Sequence, residues 1–90
     1  MVHKHKEKAR TQRKKLLDEI RSVPCLDCGG TFPPCAMDFD HVRGEKSFGV
    51  MNRYGDFAMD KLLAEIEKCE IICANCHRVR TAARRLRFAP

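Results

Sequence analysis

The sequence predicts a small α+β domain stabilised by zinc, with a basic helix at its N-terminus and a second helix inserted into the metal-bearing core. Three observations lead there. The chain has only 90 residues, and six of them are cysteine. Four of the six form two CxxC pairs, Cys25/Cys28 and Cys73/Cys76. The segments around these pairs switch between strand-like and helix-like hydrophobic period. A chain this short buries only about 60% of the surface its unfolded form exposes, so packing alone leaves it marginal. The first fifteen residues are charged, with no hydrophobic stretch of the kind that directs export, and no apolar run is long enough to span a bilayer. A cytoplasmic, reducing setting is therefore expected, where paired cysteines bind metal or carry out redox chemistry rather than form a disulfide framework.

Residues 1–22 read as a basic helical arm and residues 23–90 as the domain. Over 5–21 the apolar positions Ala9, Leu16, Leu17 and Ile20 share one side, and Pro24 forbids continuation of the helix. The run from Cys25 to Pro34 (CLDCGGTFPP) is turn chemistry throughout, a knuckle. Met37 to Val42 alternates apolar and polar residues, the pattern of a short strand. Residues 44–55 are loop. From Ala58 to Cys69 the positions Met59, Leu62, Leu63, Ile66 and Cys69 follow helical spacing, with Asp56 or Asp60 near the start as cap. Glu70 to Cys73 is a brief β-branched stretch suited to pairing with Met37–Val42. Beyond Cys76, Val79, Ala82, Ala83 and Leu86 mark a last helix.

The spacing of a CxxC pair lets two thiolates from one turn meet a tetrahedral zinc at about 2.3 Å each. Two such pairs suggest one closed, structural four-cysteine site, with a strand, a loop and a helix threaded between its halves. A redox pair or buried free cysteines is the plainer alternative. Cys73-Ala-Asn-Cys76-His77 also fits covalent haem attachment, but that chemistry expects export and does not use the other CxxC pair. Cys69 falls on the apolar face of the predicted helix, and Cys35 has no assigned place.

Residues 1–21 carry a net charge of +5, residues 77–90 again +5, and the centre −4. Like-charge blocks at termini are common as solvated faces. Basic ends around an acidic, cysteine-rich centre fit a polyanion better, since the ends can neutralise phosphates while the acids hold a divalent cation. Nucleic acid is the expected partner, contacted along phosphates by Arg78, Arg80, Arg84 and Arg85 of the last helix and by the arm, including Lys14 and Lys15. No membrane partner is expected, because the basic segments lack an aromatic face. Phe48, Tyr54 and Phe57 read as core or loop anchors rather than base-stacking residues.

Asp40 and His41 stand at the end of the predicted strand, and His77 follows a cysteine at the start of the last helix. If Glu70–Cys73 pairs with Met37–Val42, these three come together. One carboxylate and one imidazole make an incomplete ligand set for a divalent ion, and a second imidazole is left to act as base near neutral pH. Taken jointly, CLDC, MDFDHV and CEIICANCHRVRT resemble the HNH endonuclease family, the ββα-metal nucleases, in the branch with a four-cysteine zinc site found in phages and mobile elements. The resemblance covers Cys25 to about Thr81. It implies a treble-clef ββα-metal core and metal-dependent hydrolysis of DNA to 5′-phosphate and 3′-hydroxyl ends. By position, His41 resembles the general base, while Asp40 and His77 resemble the ligands of a catalytic Mg2+, Mn2+ or other transition-metal ion. The family's central Asn has no counterpart in Glu67–Ile72. Regular strand geometry would send Asp40 and His41 to opposite faces, so a shared site calls for a bend at His41. The competing readings are a zinc module that grips nucleic acid without cutting it and an accessory protein of a larger phage nucleic-acid machine.

Overall fold

The computed structural model describes residues 2–51 and 58–87, with side chains over 10–51 and 58–86. Asn52, Tyr54, Asp56 and Phe57 lie outside the described residues. The basic segment forms helix α1, Val2–Ile20. Its end is fixed by Ser22, whose Oγ donates to the Asp18 carbonyl at 2.6 Å, while Pro24 bars any further turn. The last turns of α1 belong to the core: Leu17 is fully buried and Ile20 packs beside it.

The knuckle closes through Cys25 N–H to Gly30 O at 2.9 Å and Gly29 N–H to Cys25 O at 2.8 Å. Gly29 takes φ +72°, a conformation that glycine adopts without a Cβ penalty. A single 3₁₀ turn, Pro34–Ala36, carries the exposed Cys35 and leads into strand β1, Met37–His41. Helix α2 is Met59–Glu67, strand β2 is Cys69–Cys73, and helix α3 is Ala74–Arg87. The two strands form an antiparallel ribbon with Met37 opposite Cys73 and His41 opposite Cys69. The expected pairing of the two stretches is therefore present, within a small α+β domain of three helices and one two-stranded sheet among the described residues.

This register decides what each face does, because cross-strand partners share a face. Met37, Phe39 and His41, with Cys69, Ile71 and Cys73, face one way. There Leu17, Phe39, Val50, Leu62 and Cys69 form one buried cluster. Asp38, Asp40, Glu70 and Ile72 face the other way, toward α3. A second cluster, Cys25, Met37, Ile72 and Cys73, includes two of the paired cysteines, and Cys76 packs against it. Leu17→Ala would detach α1 from the first cluster; we expect a loss of about 2–5 kcal/mol, read as a lower urea midpoint at unchanged slope.

Three expectations need correction. Cys69 opens β2 rather than lying on a helix, because the Lys68 carbonyl is taken by the Val42 and Arg43 N–H groups at 2.8 and 3.1 Å, which ends α2 and starts the ribbon. Asp60 lies within the first turn of α2, and Ala58 holds the cap position without a side-chain bond. Val79 and Leu86 are 69% and 76% exposed, so α3 is not held by an apolar stripe. Its inner face is polar, and ion pairs to β1 take the place of packing.

Candidate functional site

The knuckle and the start of α3 bring Cys25, Cys28, Cys73 and Cys76 together, with all four ligand sulfurs within 4.8 Å of one another. A tetrahedral ion with bonds of about 2.3 Å needs sulfurs about 3.8 Å apart, so the four thiols fit zinc with little adjustment. Cys25 and Cys73 are buried, Cys76 is half-buried and Cys28 is exposed. Backbone N–H groups point at the sulfurs: Cys28 and Cys73 toward Cys25 Sγ at 3.5 and 3.3 Å, and Cys76 toward Cys73 Sγ at 3.4 Å. Burial works to raise the Cys25 pKa, but these donors outweigh it and bring it below the ordinary thiol value. Cys76 moves the other way, raised first by its hydrogen bond to Cys73, then by burial and the nearby sulfurs. Four thiols at this spacing cannot all ionise without a cation among them. Among the described residues this is the one group of three or more His, Cys, Asp or Glu side chains whose ligand atoms converge in this way.

Beside this cluster, on the α3 side of the ribbon, His77 lies between two carboxylates. Its Nδ1 is 2.8 Å from Asp38 Oδ2 and its Nε2 is 3.4 Å from Asp40 Oδ1. Asp40 is only 3% exposed and takes three further charged contacts: Arg80 Nη1 at 2.8 Å on Oδ2, Arg84 Nη1 at 2.9 Å on Oδ1 and Arg84 Nη2 at 2.7 Å on Oδ2. Hydrogen bonds from Arg84, with help from Arg80 and against the cost of burial, hold the Asp40 carboxyl at about 2. Arg80 also reaches Glu70 at 2.8 Å and, with Nε and Nη2, Asp27 at 2.7 and 2.6 Å. Asp40 and Glu70 stand directly opposite in the ribbon, an unfavourable like-charge pair that the Arg80 guanidinium bridges.

His41 is on the other face. The ribbon keeps its regular register through this residue, with no bend, so Asp40 and His41 point apart. His41 Nε2 meets Glu65 Oε2 at 2.9 Å, and the same carboxylate accepts from Ser47 N–H at 2.9 Å and Lys68 Nζ at 2.8 Å. Burial alone would raise Glu65, but Lys68 and the Ser47 N–H overcome it and hold the carboxyl at about 2.

The basic residues expected along DNA separate into two groups. Arg80 and Arg84 are engaged with carboxylates, as above. Arg78 and Arg85 are exposed and line a groove of about 550 Å³ with Asp38, His77 and Thr81. On α1, Lys15 is exposed, and Lys14 pairs with Asp18 at 3.0 Å. No helix among the described residues is long and apolar enough to cross a membrane.

Two residues of this region, Asp38 and Glu65, stand outside the expected site residues. Asp38 was legible from the strand period, since Asp-x-Asp puts both carboxylates on one face. Glu65 falls three residues after Leu62 on the apolar side of α2, and an inward-facing acid there calls for a cationic or donor partner. No family model matches the chain, and neither the curated proteins nor the solved structures contain a match to it.

Proposed function

We propose that the chain is a divalent-metal-dependent DNA endonuclease resembling the HNH type, with structural zinc on the four cysteines, Asp40 and His77 as ligands of a catalytic ion, and His41 as general base. The reading rests on one observation: His77 Nε2 faces Asp40 Oδ1 at 3.4 Å while Nδ1 is engaged by Asp38. Asp38 can only accept, so it keeps a proton on Nδ1 and directs the Nε2 lone pair toward Asp40. With a neutral ring two acceptors then face one another, which either a proton on Nε2 or a bound cation would relieve, and this reading takes the cation. Neighbouring ligands of an ion with bonds of about 2.1 Å lie about 3 Å apart, close to the separation found.

When bound, such an ion neutralises the charge that develops on the leaving 3′ oxygen. His41 takes the proton of the attacking water, and Arg78 and Arg85 hold flanking phosphates. Base and ligands point to opposite sides of β1. In-line attack needs the incoming and leaving oxygens on opposite sides of phosphorus, so this reading requires the scissile phosphate to sit at the end of the strand. The products are 5′-phosphate and 3′-hydroxyl ends, one strand per encounter.

A second reading, a zinc-containing module that binds nucleic acid without cutting, is favoured by the saturation of Asp40 with two guanidinium groups. Nicking of supercoiled plasmid with Mg2+ or Mn2+ separates the two. His41→Ala is expected to slow nicking by about 10²–10⁴-fold while leaving DNA retention in a gel intact. Retention without nicking by the wild type in any metal would sustain the module and remove the nuclease.

A further inference from the structure

We propose that Glu65 is a positioning residue for His41: its carboxylate fixes the ring in the Nε2–H tautomer and leaves the free lone pair on Nδ1. The catalytic half of this proposal rests on the nuclease reading; the tautomer does not.

Three donors converge on Glu65. Lys68 Nζ holds Oε1, while Ser47 N–H and His41 Nε2 share Oε2. With its side chain 3% exposed, the carboxylate has no water to fall back on, and these partners keep it ionised. An ionised carboxylate has no hydrogen to give, so the ring nitrogen beside it must be the donor. In a neutral imidazole the other nitrogen then carries the lone pair. Among the described residues Nδ1 has no partner, and the 13% of the His41 side chain that remains exposed gives it access to water.

The acceptor is itself held in place. Lys68 also donates to Glu45 O at 2.8 Å and Ser47 Oγ at 3.2 Å, which ties the end of α2 to the loop after β1 and stops Glu65 from swinging away.

Long-range ¹H–¹⁵N correlation spectra of the zinc-loaded full chain, at mildly alkaline pH, test the tautomer directly. His41 is assigned by the signals missing from His41→Gln. The wild type should show Nε2–H, and a wild-type ring in the Nδ1–H form overturns the proposal whatever any variant does. Glu65→Gln keeps the shape but offers an amide that can donate as well as accept, so a mixture of tautomers is expected. An unchanged spectrum in that variant also overturns it.

In plasmid nicking, Glu65→Gln should lower kcat by about 10–100-fold at unchanged KM, as outer partners of active groups do, and Glu65→Asp should recover part of the loss. Wild-type nicking with an equally fast Glu65→Gln variant removes the positioning role. A wild type that does not nick removes the nuclease reading and the catalytic half with it, while the spectrum still decides the tautomer.

Discussion

Cys73→Ser is expected to leave the chain unfolded at room temperature, with helical and strand signals lost together in circular dichroism. Cys73 ends β2, begins the turn into α3 and is almost fully buried in the second core cluster with Cys25, Met37 and Ile72. Four thiols with their sulfurs within 4.8 Å of one another could share one zinc, and closing such a site is worth about 10–16 kcal/mol of apparent binding energy at neutral pH. A single core in chains only slightly shorter than this one supplies about 3–5 kcal/mol. With zinc bound, the metal term would exceed the packing term, and removing one ligand would then cost more than the core alone could supply. Serine in place of Cys73 also leaves three thiols crowded together with no ion to neutralise them. A strong chelator should do the same to the wild type, and added zinc should reverse it. Cys35→Ser is the control: Cys35 is exposed on the 3₁₀ turn, outside the cluster, and its replacement should change neither zinc content nor unfolding. A Cys73→Ser variant that unfolds cooperatively near the wild-type midpoint would mean that the cysteines are ordinary core residues.

The elements could be read from the sequence where a local signal governs them. The alternation in MDFDH, the CxxC spacing and Pro24 after the arm are such signals, and β1, the cysteine cluster and the end of α1 sit where they indicate. Where tertiary partners decide, the local pattern misleads. Cys69 continues the helical period of Leu62 and Ile66, but the pairing of the Lys68 carbonyl with Val42 and Arg43 turns it into the first residue of a strand. Val79 and Leu86 look like a core stripe by spacing. The face of α3 that meets the ribbon instead carries His77, Arg80 and Arg84, because β1 offers it two aspartates. The expected bend at His41 fails for a related reason: Glu65, invisible to a search for a DNA-facing site, waits on the other face to receive the ring. Zinc-type spacing was legible because it is local in each half; the partners of the histidines were not, because they come from elements 24 and 39 residues away.

Asp40→Asn should destabilise the zinc-loaded domain by about 2–3 kcal/mol, less than the about 3–5 kcal/mol of stripping one partner from a fully buried ion pair, since Arg84 has solvent to fall back on. The asparagine fits the same space, but it offers one acceptor where the carboxylate served two guanidiniums and faced a third group, His77. Arg84, with 44% of its side chain exposed, can turn to water; Arg80 stays bridged to Asp27 and Glu70. The pH dependence follows from the depressed carboxyl, about 2 in the fold against an ordinary 3.8. An acid whose folded pKa is lowered stabilises the fold at pH values above its unfolded pKa, and the contribution drains away as pH falls toward the folded one. The gap between wild type and Asp40→Asn should therefore be level above about pH 4 and narrow below it, by about 2 kcal/mol at full protonation. Acid also releases any zinc the cysteines hold, from both proteins alike, so the difference between the two unfolding curves is the readout. A gap that does not respond to pH would mean that Asp40 holds α3 by shape and not by charge. Under the nuclease reading the same variant loses nicking while the zinc content and the circular dichroism spectrum below its unfolding transition stay native, which separates the role of the carboxylate in chemistry from its role in docking α3.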